Sequence, residues 1–180
     1  ALAARINPMQ ARTWPAQAGA GDTVWLGAVD RAGCAVSMIQ SLYWEFGSGL
    51  TLPSSGIVWQ NRGVSFSLQH DARQALTPGR RPFHTIQPAM ALFDDGRVMP
   101  YGCMGGDGQP QSQAALFSRY AWHGMQLQQA VTAPRWLLGR TWGEQSTNLK
   151  VESRIAPYVV DALRSAGHEM QVTGPYEEMM

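Results

Sequence analysis

Apolar and polar positions alternate most clearly in two hairpin patterns. Val24–Val29 and Cys34–Gln40 flank Asp30-Arg31-Ala32-Gly33, a turn with Asp at its first position and Gly at its last. Thr85–Phe93 and Arg97–Tyr101 flank Asp94-Asp95-Gly96, a turn whose Asp-Gly pair is a strong hairpin signal. The strand pattern that begins at Cys34 runs on through SLYWEF to Gly47-Ser48-Gly49. A second turn cluster, Pro53-Ser54-Ser55-Gly56, precedes a short strand pattern over Ile57–Asn61. Residues 61–82 lose periodicity and hold Gly, Pro and polar side chains, which predicts a long loop of the kind that often carries function.

Helical signals dominate the second half. Pro110–His123 reads as a helix with Pro in its first turn and Gly124 as its stop, and Leu127–Val131 as a short helix ending at Ala133-Pro134. A strand is expected around Leu149–Glu152, a helix over Pro157–Ala166 stopped by Gly167, and a last strand over His168–Val172. Strands followed by helices, without sustained β-α-β-α alternation, predict an α+β class with antiparallel hairpins covered on one face by helices. At the start, residues 1–10 read as the end of an Ala-rich helix that begins upstream and stops near Asn7-Pro8. Residues 13–22 read as an exposed connector rich in Gly and Ala.

Composition changes this picture in one respect. Of the 180 residues 44% are hydrophobic and only 15% charged, with seven Trp and nine Met, which suits a piece that buries surface against a partner. The 14 basic and 13 acidic residues are scattered, so no nucleic-acid surface is expected. No apolar run approaches a membrane span, and the first residues lack the core of a signal peptide. Cys34 and Cys103 are far apart and suit buried free thiols. The histidines (His70, His84, His123 and His168) are dispersed without H-E-x-x-H spacing, so no metal is expected, and His84 alone is a candidate to line a site.

Two features could carry chemistry. Gly105-Gly106 ends a strand pattern and precedes a helix, where bare N–H groups and the helix dipole favour negative charge. In isolation an ordinary tight turn is the commoner meaning of such a pair; an oxyanion hole or a small-anion site is the functional one. Thr23, at the mouth of the first strand, is a poor nucleophile without a base, and no G-x-S-x-G elbow is present. Cleavage of the Asp22–Thr23 bond would supply one, because the freed α-amine titrates near neutrality.

With these residues in view, the chain resembles the small-subunit region of the gamma-glutamyltransferase family, within the N-terminal-nucleophile hydrolases. The resemblance runs from about Gly21 to Val172 through DTVWLGAVDRAGCAVSMIQS, FGSG, SSGIVWQNRG, FSL, PGRRPFHTIQPAM, MGGDGQPQ and APRW, in the family's order and spacing. It lies nearer to a bacterial gamma-glutamyltransferase-like branch than to the glutathione-handling enzymes. The resemblance implies an αββα sandwich of which this is the small-subunit part. Residues 1–22 would then be the end of the large-subunit region and its linker, and residues 23–180 the small subunit. It further implies autocleavage before Thr23, a heterodimer with the large subunit of the same precursor, a γ-glutamyl or other acyl-amide substrate, and no cofactor. The compartment stays open between bacterial cytoplasm and periplasm.

Carried over residue by residue, Thr23 takes the place of the catalytic Thr and Ser41 that of a second Thr that helps activate it. Gly105 and Gly106 match the oxyanion-hole pair. His84-Thr85 stand where a Ser-Ser pair binds the substrate α-carboxylate. The departures concern the substrate. Tyr43 stands where the family has an Asn contacting the glutamyl group. In Asn61-Arg62-Gly63-Val64-Ser65, Arg62 and Ser65 replace the Gln or Glu and the Asp that hold the α-amine. Arg62 repels an ammonium and attracts a carboxylate. An N-terminal-threonine acyltransferase or amidohydrolase with altered γ-glutamyl recognition is therefore expected. The rival readings are a non-catalytic or unprocessed family member acting as a binding subunit, and a small-anion binding module built on the glycine loop.

Overall fold

The computed structural model describes residues 23–141 and 146–177. The helix end expected over residues 1–10, the connector over 13–22 and Asp22 lie outside the described residues. Strand β1 (Thr23–Val29) pairs antiparallel with β2 (Ala35–Ser41), in a register that sets Thr23 opposite Ser41 at the open end of the hairpin. The Asp30 carboxylate closes the other end by accepting the N–H groups of Ala32 and Cys34. Strands β3 (Ala89–Leu92) and β4 (Val98–Tyr101) form the second hairpin. The side-chain alternation of a strand puts Thr23, Trp25, Ser37, Ile39 and Ser41 on one face of the first hairpin. That face meets the end of β4: the Ser37 hydroxyl donates to the Tyr101 carbonyl at 3.4 Å, and the Trp25 indole lies over Gly102. A Cβ at Gly102 would stand 2.2 Å from the indole ring, so only glycine permits this approach.

Helix α1 (Gln109–Phe117) continues as a π-type turn over Ser118–Trp122 before the chain reverses near Gly124. The wider turn brings Phe117 edge-on to Trp122, five residues on, while Phe117 also stacks on Tyr101 and Tyr120 meets Phe93 edge-on. Aromatic contacts thus fix this helical segment to the β3–β4 hairpin. Helix α2 (Leu127–Thr132) leads to a three-stranded sheet of β5 (Trp136–Leu138), β6 (Leu149–Glu152) and β7 (Met170–Thr173). Helix α3 (Pro157–Ser165) crosses between β6 and β7 and packs Val160 and Leu163 against Leu149, Val151 and Met170, the apolar core of this end. Beneath it the fully buried Glu152 carboxylate is held by Arg135 and Arg154; Arg135 also donates to the Glu177 carbonyl, and Arg154 lies over the Tyr176 ring.

The α+β class holds, with corrections. The strand expected to run through SLYWEF stops at Ser41, because Tyr43 takes a left-handed backbone (φ 77°) and the chain turns over residues 43–49. The strand expected over Ile57–Asn61 is reduced to one bridge, Thr51 to Val58. Residues 85–88 remain outside β3. Strand β5 was not foreseen, since three residues show no period. The β6–β7 pair, whose direction the strand patterns leave open, is parallel, and helix α3 supplies the crossover that parallel strands need. Cys34 is exposed rather than buried, and both cysteines are free. On the other face of the first hairpin Val24, Leu26, Val36 and Met38 are about half exposed, an apolar stripe that nothing among the described residues covers.

Candidate active site

The antiparallel register that pairs Thr23 with Ser41 places both hydroxyls on one face, and Thr23 Oγ1 lies 2.7 Å from Ser41 Oγ. The turn after β2 returns the chain onto this pair. The left-handed Tyr43 aims its N–H back at Ser41 Oγ, which accepts it at 2.9 Å. One Ser41 lone pair is thereby occupied, and its O–H stays available to Thr23.

Asn61 ties this turn to the long loop: its side-chain carbonyl accepts the Trp44 N–H at 3.1 Å, and its own N–H donates to the Leu42 carbonyl. The next residues, Arg62–Ser65, form one 3-10 turn, pinned by Ser65, whose hydroxyl donates to the carbonyls of Arg62 and Phe83. This geometry drives Arg62 inward. Its side chain is 3% exposed, its guanidinium carbon lies 3.7 Å from the centre of the Tyr43 ring, and its Nη2 donates to the buried Thr85 hydroxyl. Its Nε–H is buried without an acceptor among the described residues. Burial lowers the Arg62 pKa below its ordinary value, against the opposing influence of Tyr43 and Asp107. Partial desolvation of the His84 imidazole, on a residue that is exposed overall, and then the nearby Arg62 cation push it below its ordinary pKa and favour its neutral form.

Ser41, Tyr43, Gln60, Arg62, His84 and Ile86 line one small cavity of about 40 Å³. Its lining therefore includes both the serine bonded to Thr23 and a buried cation. Of the ten residues singled out in the sequence, Ser41, Tyr43, Arg62 and His84 line it, and Thr23 and Thr85 bond directly to its walls. Asn61 and Ser65 do not line it; they hold the loop that presents Arg62. Gln60 and Ile86 were missed, although each stands within one residue of a position that was singled out. Gln60 also accepts the Arg62 N–H. A larger hollow of about 380 Å³ lies beside Phe93, Arg97 and Tyr120, but Arg97 there is already bonded to Asp95 and to the Tyr120 hydroxyl.

Gly105 and Gly106 follow Gly102 closely, both buried and both at positive φ (116° and 48°). Gly105 precedes a 3-10 turn over Gly106–Gly108, and the Gly108 N–H closes onto the Gly105 carbonyl at 2.8 Å. Such φ values favour glycine, which leaves the main-chain N–H groups of the pair without a Cβ beside them. Among the described residues no group of three His, Cys, Asp or Glu could hold a metal ion, and no helix is long and apolar enough to cross a membrane.

The family model described as gamma-glutamyltranspeptidase matches residues 1–179. The oxamate amidohydrolase proenzyme of Klebsiella pneumoniae is 56% identical over 99% of this chain and 34% of its own length. The glutathione hydrolase-like YwrD proenzyme of Bacillus subtilis is 45% identical over 88% of this chain and 30% of its own. The crystal structure of cephalosporin acylase from Bacillus halodurans superposes with a TM-score of 0.70 at 38% identity, covering 83% of this chain and 27% of that one. The chain thus spans about a third of the length of the curated relatives it matches. It belongs to the gamma-glutamyltranspeptidase family of N-terminal-nucleophile hydrolases.

Proposed function

We propose that this chain is the nucleophile-bearing part of an amidohydrolase that cuts its own precursor before Thr23. The hydroxyl pair Thr23–Ser41, 2.7 Å apart beside a cavity whose lining also holds a buried cation, carries the reading. Once residue 22 is released, the Thr23 α-amine accepts the Oγ1 proton as Oγ1 attacks an amide carbonyl. The Ser41 O–H donates to the developing alkoxide, and the N–H groups of Gly105 and Gly106 hold the oxyanion. Collapse of the tetrahedral intermediate expels the amine, which takes the proton from the α-ammonium. Water then hydrolyses the threonyl ester by the same route in reverse. An amine in place of water would give transfer.

The substrate follows from charge. A buried guanidinium with an unpartnered Nε–H suits a carboxylate and opposes the α-ammonium of a γ-glutamyl group. Oxamate, named for the Klebsiella relative, is the smallest amide that puts a carboxylate beside a scissile carbonyl. In this reading residues 23–180 are the small subunit and residues 1–22 belong to the preceding region. The remainder of the precursor completes the αββα sandwich by covering the exposed Val24, Leu26, Val36 and Met38. The test is expression of the complete precursor, wild type and Thr23→Ala, with amide hydrolysis followed by ammonia release. A cut, active wild type and an uncut, inactive variant are expected; hydrolysis that survives Thr23→Ala overturns the assignment.

A further inference from the structure

Tyr43 is the residue in the cavity whose conformation is least expected. A non-glycine residue at φ 77° is uncommon and strained, so its surroundings must over-determine it. Two contacts do so. The main-chain N–H is spent on Ser41 Oγ, and the Arg62 guanidinium carbon stands over the ring, 3.7 Å from its centre. Tyr43 therefore forms part of the cavity wall, with its ring against the cation.

The remaining space is small. About 40 Å³ holds roughly three water-sized groups, which is the size of one carboxylate and little more. Resting on the amidohydrolase reading above, we infer that Tyr43 is a specificity residue that limits the acyl group to one whose carboxylate is attached directly to the scissile carbonyl. The unpartnered Nε–H of Arg62, in a side chain 3% exposed, receives that carboxylate, and the Tyr43 ring occupies the space that intervening methylenes would need. Length is excluded by the ring and charge is selected by the cation behind it. Because the bond to Ser41 comes from the main chain, the side chain can be changed without removing it.

The experiment uses the complete precursor and the monoamides of oxalate, malonate and succinate, with kcat/KM measured for each in wild type, Tyr43→Gly and Tyr43→Asn. Both replacements accept a positive φ, so at least one is expected to fold and be cut before Thr23. Wild type favours oxamate. In a cut variant the succinamate-to-oxamate ratio of kcat/KM rises at least about tenfold, the discrimination one methylene commands in a closed pocket. An unchanged ratio in cut, active variants overturns the role of Tyr43 and leaves the amidohydrolase standing. A cut wild type that hydrolyses none of the three amides sinks the underlying substrate reading, and this inference with it.

Discussion

Replacement of Arg62 by methionine separates recognition from chemistry. Methionine has similar length and no charge, so it fills the space against Tyr43 while removing the guanidinium donors of a cavity-lining residue. Arg62 donates to Thr85 and carries a buried Nε–H without an acceptor among the described residues. A charge-assisted hydrogen bond contributes about 1.5–3 kcal/mol. At about 1.4 kcal/mol per decade, that predicts a loss of roughly 10- to 150-fold in kcat/KM for oxamate. The assay is a paired one, with ammonia release from oxamate and from pyruvamide, which carries an uncharged acetyl group in place of the carboxylate. Oxamate should fall by the full factor while pyruvamide stays within about threefold, and Arg62→Lys should lie between because it keeps the charge and loses the planar fork. An equal fall for both substrates refutes the reasoning, since it would mean that Arg62 only holds the loop. No fall for either refutes it as well.

Other outcomes follow from the same geometry. Glu152→Gln leaves Arg135 and Arg154 around a neutral side chain and should cost about 3 kcal/mol in urea unfolding of the assembled protein, the low end for a broken buried pair because Arg135 still reaches water. Burial pushes the Glu152 pKa up, but hydrogen bonds from Arg135 and Arg154 outweigh it and hold the carboxyl below its ordinary range. The folded state therefore binds this proton less readily than the unfolded chain. Glu152 stabilises above its unfolded pKa of about 4.3, and that contribution is lost as pH falls through the folded value. Glu152→Gln should flatten the acid limb of a stability–pH curve, and a limb of unchanged slope would contradict this. Gly105→Ala forces a Cβ onto a backbone at φ 116° and should turn the N–H away from the oxyanion, lowering kcat about 10²-fold with KM little changed; a KM effect alone would argue for a substrate-binding role.

What could be read from the sequence was whatever depends on local chemistry. The Asp30–Gly33 and Asp95-Gly96 turns fix two hairpins, and the first of these places Thr23 against Ser41 once register is counted. Pro110 and Pro157 mark helix starts because a missing N–H costs nothing in a first turn. Long-range packing was hidden. The strand pattern after Ser41 is broken by the left-handed turn at Tyr43, which is held by contacts to Ser41 and to Arg62, nineteen positions on. The parallel pairing of β6 and β7 depends on how α3 crosses the sheet, which no single strand pattern records. Arg62 could be recognised as an unusual cation from its place in the family-like run, but its burial and unpartnered Nε–H come only from the loop that Asn61 and Ser65 pin. Gln60 and Ile86 carry no signal beyond their neighbours, being wall residues whose type the chemistry leaves open.

The central claim is that Thr23 becomes a nucleophile by becoming a chain terminus. Intact-mass spectrometry of the purified complete precursor tests it most directly. The prediction is two polypeptides, the smaller beginning with Thr23, and a single uncut polypeptide when Thr23 is replaced by alanine. A wild-type precursor that hydrolyses amides while the bond before Thr23 remains whole would contradict it.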